Sequence, residues 1–236
     1  MPEIVVALDF DHEDRALRIA EELKKSINWF KVGLELFTIA GPGIVRRLKE
    51  MGCSVFVDLK FMDIPNTVHG AVKSACELDA DMLTVHILGG REMLGEALAA
   101  RNLSGKKTRI VGVTLLTSLD RGNLAWPDSR PCSEIVTDLA KQGRESGLDG
   151  LVCSGRELSG LRGLFPSDFE FVIPGIRLPE DEKDDDQKRV FTPGEAARDG
   201  ADYIVVGRPI TRAEKPVAAA QSFLESTAAA KSGKKI

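Results

Sequence analysis

Long apolar runs are missing from this sequence: no stretch approaches the roughly 20 residues that a helix needs to cross a bilayer. Residues 1–6 also contain no basic segment ahead of an apolar one, which a secretory signal would require. We therefore expect a cytoplasmic protein with no membrane partner.

Cysteine is scarce as well. The four residues Cys53, Cys76, Cys132 and Cys153 are widely spaced, and no two of them form a Cys-x-x-Cys pair. The three histidines are equally scattered and form no His-x-x-x-His motif. Zinc sites and dithiol redox motifs are usually marked by such close pairs. We predict buried free thiols and no metal site.

An excess of positive charge is absent too. The formal net charge is −4 at pH 7, and the sequence contains no long basic stripe. A dedicated nucleic-acid binder depends on neutralising phosphates with lysine and arginine, so this class is disfavoured. A small anion held in a local basic pocket is compatible with the same charge balance.

What the sequence does contain is a regular alternation of short apolar runs and longer amphipathic stretches. Such alternation is typical of a parallel sheet with helical crossovers. Eight runs predict strands, at residues 4–8, 29–32, 54–59, 82–86, 109–115, 150–153, 170–173 and 203–206. Helices are predicted between and after them, at residues 15–25, 42–50, 68–77, 91–100, 133–145, 156–163, 192–198 and 214–229.

Eight strand–helix units without a long linker favour a closed (β/α)8 TIM barrel over an open doubly wound sheet. The length of 236 residues fits a single domain of this kind. We place the barrel at residues 1–227 and expect the tail, residues 228–236, to be frayed.

Polar residues at the C-terminal ends of the strands are the candidates for the active site, because the active sites of such barrels lie at that end. One of them, His86, either lines the mouth of the barrel or has a packing or hydrogen-bonding role, and we favour the second. The candidates are Asp9, Lys31, Asp58, Lys60, His86, Thr117, Arg177, Gly207 and Arg208.

The third predicted strand carries two opposite charges, Asp58 and Lys60. Strand periodicity puts these residues on one face, two positions apart. Asp63 follows in a tight turn, and Lys31 comes from the neighbouring strand, so two ammonium groups and two carboxylates could converge. Ordinary salt bridges near the rim of the barrel are the alternative from these residues alone.

One segment closely resembles the signature of the orotidine 5′-phosphate decarboxylase family: Asp58-Leu59-Lys60-Phe61-Met62-Asp63-Ile64-Pro65-Asn66-Thr67. A lone Asp-x-Lys-x-x-Asp is shared by related barrel enzymes, so the specificity comes from an ordered set of segments. The others are Ala7-Leu8-Asp9, Lys31-Val32-Gly33, Leu116-Thr117-Ser118, Pro174-Gly175-Ile176-Arg177, Asp186-Gln187-Lys188-Arg189 and Val206-Gly207-Arg208-Pro209-Ile210.

The resemblance implies decarboxylation of orotidine 5′-phosphate to uridine 5′-phosphate in de novo pyrimidine biosynthesis, without a metal or cofactor. It implies that Lys31, Asp58, Lys60 and Asp63 form an alternating charged network, in which Lys60 delivers the proton that replaces CO2. It also implies a homodimer in which Asp63 and Thr67 reach into the neighbouring subunit's site.

The remaining binding residues are assigned by the same resemblance. Asp9 would accept the ribose hydroxyl groups, and Thr117 would contact the ligand near the pyrimidine. The phosphate side would comprise Arg177, Gln187, Gly207 and Arg208.

The loop at residues 178–189 departs from the family, in which glycines are common there. Here the loop is acidic and contains no glycine. We expect it to act as a lid over the phosphate with most of its carboxylates facing solvent. Met62 occupies a position where the family often has histidine, without an expected change in chemistry, and Trp126 is a candidate dimer contact.

Two other functions are compatible with a barrel of this kind. A metal-dependent sugar-phosphate decarboxylase, such as 3-keto-L-gulonate 6-phosphate decarboxylase, would stabilise an enediolate through Mg²⁺. Such an enzyme would need an acidic residue at the position where this chain has Lys31. A barrel that only binds phosphorylated ligands is the second alternative, and the presence of both Lys60 and Asp63 argues against it.

Overall fold

Eight parallel strands form one closed barrel and follow one another around it in chain order, so that the last strand pairs with the first. The computed structural model describes residues 1–119, 130–179 and 191–231. The single (β/α)8 barrel predicted from the sequence is confirmed. The strands are β1 (Glu3–Ala7), β2 (Trp29–Gly33), β3 (Ser54–Phe61), β4 (Met82–His86), β5 (Arg109–Val113), β6 (Gly150–Val152), β7 (Glu170–Ile173) and β8 (Tyr203–Val206).

Each strand overlaps the run that predicted it, and the differences that matter for the mouth are at the C-terminal ends. β3 continues to Phe61 and not only to residue 59, because it contains an irregularity described below. β5 ends at Val113 instead of residue 115. Thr117 therefore lies beyond the strand, exposed in a turn.

Helices connect the strands and form the outer layer. The sequence did not predict α2 or α9. In α2, Leu34 and Ile39 are exposed while Leu36 is buried, so its apolar residues give no single buried face. The helices are α1 (Glu13–Leu23), α2 (Leu34–Ala40), α3 (Gly43–Glu50), α4 (Pro65–Glu77), α5 (Gly90–Ser104), α6 (Cys132–Ser146), α7 (Gly155–Arg162), α8 (Pro193–Asp199), α9 (Arg208–Thr211) and α10 (Pro216–Lys231), with a 3₁₀ turn at Ile87–Gly89.

Polar residues begin some of these helices as the sequence suggests. Ser154 begins α7 and Thr192 begins α8, each in a capping box with a glutamate three residues later. α4 begins earlier than predicted, at Pro65 and not at residue 68. Proline suits this position because its missing N–H would have no helical partner there.

Two apolar cores are separated by the wall of the barrel. The larger lies between the strands and the helices, and includes alternate strand residues such as Val6, Val32 and Val57. The smaller fills the interior of the barrel. Its buried members are Val5, Ala7, Phe56, Met82, Val111, Val172, Tyr203 and Val205. Positions two residues further along β1, β2, β3 and β4 therefore face the mouth.

The last helix, α10, extends to Lys231, beyond the domain boundary predicted at residue 227. Among the described residues, no helix combines the length and apolar character needed to cross a bilayer. Trp126, Gln187 and most of the predicted lid lie outside the described residues.

Candidate active site

Charged and polar side chains form a layer directly above the apolar interior of the barrel. On β2, the alternation that points Trp29 inward also points Lys31 inward. On β3, Phe56 belongs to the inner core and Asp58 follows it on the same face. Thr84 on β4 completes the layer through contacts described below. The site therefore rests on a packed apolar base.

Opposite charges alternate across this layer. Lys31 Nζ lies 3.1 Å from Asp9 Oδ1 and 3.5 Å from Asp58 Oδ2. Lys60 Nζ lies 2.8 Å from Asp58 Oδ1. The side chains of Lys31 and Asp58 are only 11% and 13% exposed, whereas those of Lys60 and Asp9 are 31% and 53% exposed. The inner pair is thus shielded from solvent, and the outer groups can reach a ligand.

Asp58 is charged despite its burial. Burial by itself raises the pKa of this carboxyl group, but the charges of Lys31 and Lys60 and hydrogen bonds from Lys60 and Thr84 act in the opposite direction. Together they hold the pKa of Asp58 below its ordinary value. A single carboxylate therefore links two ammonium groups, which is the central part of the network predicted from the sequence.

Lys60 has an unusual backbone conformation. Its φ is 52°, a left-handed value, and this conformation costs a residue with a Cβ about 1–2 kcal/mol. The pairing of β3 with β4 is irregular at the same place, since Val57 pairs with Leu83 but Phe61 pairs with Val85. Such bulges redirect side chains, and here the amine of Lys60 lies on Asp58.

Thr84 holds both residues in this arrangement. Its hydroxyl oxygen accepts a hydrogen bond from the backbone N–H of Lys60 at 2.8 Å and donates to Asp58 Oδ1 at 3.1 Å. Thr84 is completely buried. Sequence analysis missed this residue, although a hydroxyl in the middle of the apolar strand Met82–His86 was a signal that could have indicated it.

His86 ends β4 two residues after Thr84. Its Nδ1 atom is buried and has no hydrogen-bond partner among the residues that the structure describes. Of the two expected roles, packing or hydrogen bonding, the second does not apply to this atom within the described residues. Burial, and then the charge of Lys60, lower the pKa of the imidazole, while Asp58 raises it less. The ring is thus neutral near pH 7.

Asp63 and Thr67 lie apart from the network. Both are exposed, Asp63 in the turn after β3 and Thr67 in the first turn of α4. Asp63 Oδ1 accepts a hydrogen bond from the adjacent backbone N–H of Ile64 at 2.7 Å. Among the described ion pairs, none joins Asp63 to Lys31 or Lys60. Within one chain, the second carboxylate of the network is therefore Asp9 and not Asp63.

The residues predicted for the phosphate lie after β7 and β8. Gly207 adjoins the charged layer, because a Cβ placed on it would lie 3.9 Å from Asp9 Oδ2. Arg208 follows as the first residue of α9 and is half-buried. Arg177 is buried, and its Nη1 donates to the preceding backbone carbonyl at 2.9 Å. Gln187 lies outside the described residues.

The geometry allows one lysine both to stabilise negative charge and to supply a proton. Lys60 has three N–H donors, and one of them is occupied by Asp58. A fixed cation at the mouth stabilises charge that develops on a bound ligand and can then protonate it. Within residues 1–119, 130–179 and 191–231, no group of three or more His, Cys, Asp or Glu side chains is arranged to hold a metal ion.

Comparison with known proteins identifies the family. A family model described as "Orotidine 5′-phosphate decarboxylase / HUMPS family" matches residues 2–223. The chain belongs to this family. The family resemblance inferred from the ordered motifs is thus confirmed over nearly the whole barrel.

Relatives and solved structures within this family are similar along their full length. A protein of Lawsonia intracellularis named orotidine 5′-phosphate decarboxylase is 46% identical over 230 residues, covering 96% of this chain and 99% of the relative. One of Dictyoglomus turgidum with the same name is 48% identical and covers 93% of each chain. The crystal structure of orotidine 5′-phosphate decarboxylase from Lactobacillus acidophilus aligns with a TM-score of 0.81 at 35% identity, covering 96% of this chain and 99% of that one.

Proposed function

We propose that this protein decarboxylates orotidine 5′-phosphate to uridine 5′-phosphate in de novo pyrimidine biosynthesis, without a metal or cofactor. The observation that carries the proposal is the alternating arrangement of Asp9, Lys31, Asp58 and Lys60 at the mouth of the barrel. It occurs in a chain whose relatives bear that enzyme's name.

Lys60 is the proposed proton donor. When the bond between the pyrimidine ring and its carboxylate breaks, CO2 departs and the electron pair stays on the ring carbon. The ammonium group of Lys60 stabilises that pair and transfers a proton to it. The products are CO2, the protonated ring carbon and a neutral amine, which regains a proton from solvent. Lys31 adds a second positive charge, and Asp58 positions Lys60.

Asp58 has a second proposed role, through repulsion of the substrate carboxylate. Two like charges about 4 Å apart repel each other by about 4 kcal/mol at an effective dielectric constant of about 20. Loss of CO2 would relieve this repulsion. The affinity for a carboxylate-bearing nucleotide, divided by the affinity for uridine 5′-phosphate, should therefore be higher in Asp58→Asn than in the original protein. Calorimetry measures both affinities. Relatively weaker binding of the carboxylate-bearing nucleotide would remove this role.

The rest of the nucleotide is assigned to residues on neighbouring strand ends. Asp9 would accept the ribose hydroxyl groups, and Thr117 would contact the ligand near the pyrimidine. Arg177, Gln187, Gly207 and Arg208 would form the phosphate side. Barrels of this type commonly hold phosphate after strands 7 and 8, and arginine offers two parallel donors to phosphate oxygens.

A homodimer is part of the proposal, with Asp63 and Thr67 completing the partner's site. Exposed apolar side chains after the ends of β3, β4 and β5 support a protein contact at this end of the barrel. They are Met62, Ile64, Leu88 and Leu116. Exposed apolar side chains at the same end of the barrel as Asp63 are suited to contact with a second copy of this chain.

Subunit complementation tests the shared site. Lys60→Ala and Asp63→Asn should each lower activity when alone. Mixed dimers should recover activity at one of their two sites, because that site receives an intact Lys60 from one subunit and an intact Asp63 from the other. Absence of recovery in verified mixed dimers would refute the contribution of Asp63 across the interface.

Turnover after metal removal tests the reaction itself. In excess chelator, we expect full conversion of orotidine 5′-phosphate. The loss of ultraviolet absorbance of this substrate measures the conversion. A requirement for Mg²⁺ or preference for a sugar phosphate would favour the metal-dependent alternative. Binding without turnover of either substrate would identify a barrel that only binds phosphorylated ligands. We assign the reaction to the cytoplasm, where free cysteines such as the four in this chain stay reduced.

A further inference from the structure

Gly33 is the last residue of β2 and lies two positions after Lys31 on the inward face. Its backbone is extended, with φ −92° and ψ −175°, a conformation that any residue adopts. The backbone therefore gives no reason for a glycine at this position. The reason must lie in the space that a side chain would occupy.

That space is filled by the ion pair between Asp9 and Lys31. An ideal Cβ on Gly33 would lie 2.8 Å from Lys31 Nζ and 2.9 Å from Asp9 Oδ1. Cβ atoms in real structures essentially never approach other atoms this closely. The two charged atoms are only 3.1 Å apart, so a methyl group at this position would press against both members of the pair.

The side chains would yield before the backbone. Gly33 pairs with Asp58 in the parallel ladder between β2 and β3, which fixes its main chain. Lys31 is 11% exposed and also contacts Asp58, whereas Asp9 is 53% exposed and can turn outward. A methyl group would therefore separate Asp9 from Lys31 and remove the outer carboxylate from the network.

We propose that Gly33 is a positioning residue: by lacking a side chain, it leaves room for the Asp9–Lys31 ion pair. This pair joins the ribose end of the site to the charged network. The consequence for catalysis rests on the proposed function, because it uses the ribose role assigned to Asp9. The steric relation among the three residues does not depend on the substrate.

Gly33→Ala tests this proposal in the complete enzyme. Displacement of a site group by about 1 Å can lower activity by about 100-fold, and we expect a fall of that order in kcat/KM. The free energy of unfolding should change little, because only side-chain ends move. Gly160→Ala is the matched control, since Gly160 is exposed in α7 and a Cβ there meets no atom within 4 Å. It should leave kcat/KM unchanged.

A double-mutant cycle separates positioning from general distortion of the barrel. If Gly33→Ala acts by displacing Asp9, its effect should shrink to about threefold or less in an Asp9→Ala background. An equal fall in both backgrounds would overturn the proposal. So would full activity of Gly33→Ala alone.

A crystal structure of Gly33→Ala gives a readout that does not need turnover. The Asp9–Lys31 distance should increase beyond ion-pair range, and retention of the 3.1 Å contact would contradict the proposal. If the unmodified protein fails to decarboxylate orotidine 5′-phosphate, the proposed function is wrong. Even then, the Asp9–Lys31 distance in the crystal structure of Gly33→Ala would decide whether Gly33 leaves room for the ion pair.

Discussion

Carboxylates stand at both ends of the barrel, but they are held in different ways. At the N-terminal end, Asp81, Asp149 and Asp202 directly precede β4, β6 and β8. One oxygen of each accepts from a backbone N–H of the preceding strand and from a basic side chain of the helix that comes before that strand. The contacts are Val55 N at 2.7 Å and Lys49 Nζ at 2.6 Å for Asp81, Ile110 N at 2.7 Å and Arg101 Nη1 at 2.6 Å for Asp149, and Phe171 N at 2.8 Å and Arg162 Nη1 at 3.1 Å for Asp202.

At the C-terminal mouth, the contacts join side chains to side chains. Asp58 lies between the amines of Lys31 and Lys60, and Asp9 contacts Lys31. Within the described part of the chain, the hydrogen bonds of Asp9 and Asp58 come from side chains. The N-terminal carboxylates therefore tie strands and helices together, whereas those at the mouth adjust the charge and position of two lysines.

This difference explains how stability and function can be separated in one barrel. A carboxylate that bonds to the main chain fixes strand register, and its loss should weaken folding. A carboxylate that bonds to the side chains of the site fixes their geometry, and its loss should affect chemistry. The general rule that the two ends of such barrels serve stability and catalysis agrees with this division.

Lys60→Ala should produce the largest effect, on activity. The substitution removes both the stabilising cation and the proton source, and each contribution is typically worth about 10²–10⁴-fold. We expect kcat to fall at least about 10⁴-fold, with Asp58 still paired to Lys31 and the fold retained. Decarboxylation assays and urea unfolding measure the two outcomes.

The control for this prediction is Lys141→Ala, because Lys141 is an exposed residue of α6. It should leave kcat unchanged. A Lys60→Ala enzyme that kept most of its activity would end the functional distinction between the two ends of the barrel.

Asp149→Ala should produce the second largest effect, on stability. It leaves the N–H of Ile110 and the guanidinium group of Arg101 without their shared acceptor. We expect the free energy of unfolding to fall by about 2–3 kcal/mol, with kcat/KM of the folded enzyme within about twofold of the original value. Urea unfolding and steady-state kinetics provide the comparison.

Asp168→Ala is the matched control, because its side chain is 72% exposed and 3.5 Å from Arg144. Exposed pairs contribute about 1 kcal/mol or less. Equal losses of stability in the two variants would show that the backbone contact of Asp149 adds nothing.

A third prediction concerns the backbone of Lys60. Lys60→Gly and Lys60→Ala should both be inactive, but the glycine variant should be more stable by about 1 kcal/mol because glycine adopts φ 52° without steric cost. At Lys31, which lies in regular strand β2, the order should reverse. Urea unfolding of the four variants measures both differences. Equal stability of Lys60→Gly and Lys60→Ala would argue against strain at the proton donor.

The outline of the site could be predicted from the sequence, but its internal geometry could not. Apolar runs and the Asp-x-Lys spacing were sufficient to place Lys31, Asp58 and Lys60 at the mouth. The bulge and the left-handed Lys60 depend on Thr84, which is 24 residues away in the chain. No local pattern around Lys60 encodes that contact.

The role of Asp9 was only partly accessible for a similar reason. The family motif indicated a ribose contact, whereas the ion pair with Lys31 depends on the pairing of β1 with β2 and on the empty position at Gly33. Likewise, α2 escaped prediction because its buried Leu36 is flanked by the exposed Leu34 and Ile39. The periodicity of apolar residues along a segment indicates which of its faces is buried. It contains no information about which distant strand the segment pairs with.

The smallest effect is expected at Glu170, which can be compared directly with Asp58 because the two carboxylates point into the barrel from opposite ends. Glu170 lies 3.2 Å from Arg109 Nε and 3.5 Å from the hydroxyl of Tyr203, and its Oε2 atom is buried without a partner among the described residues. Burial raises the pKa of Glu170 despite the opposing charge of Arg109. The lysines instead hold the pKa of Asp58 below its ordinary value.

These opposite shifts predict opposite pH dependences for the two amide variants. The raised pKa of Glu170 means that its charged form destabilises the fold, a penalty that appears as pH rises through the pKa of the folded state. Glu170→Gln should therefore match the original protein at acid pH and exceed its stability near neutrality. Asp58→Asn should be the less stable near neutrality and converge with the original protein as pH falls through the lowered pKa. Urea unfolding from about pH 8 down to about pH 2 tests both trends, because the pKa of Asp58 lies below its ordinary value of 3.8. If the free energy of unfolding near neutrality rose in both variants or fell in both, the two ends of the barrel would shift the pKa of a buried carboxylate in the same direction.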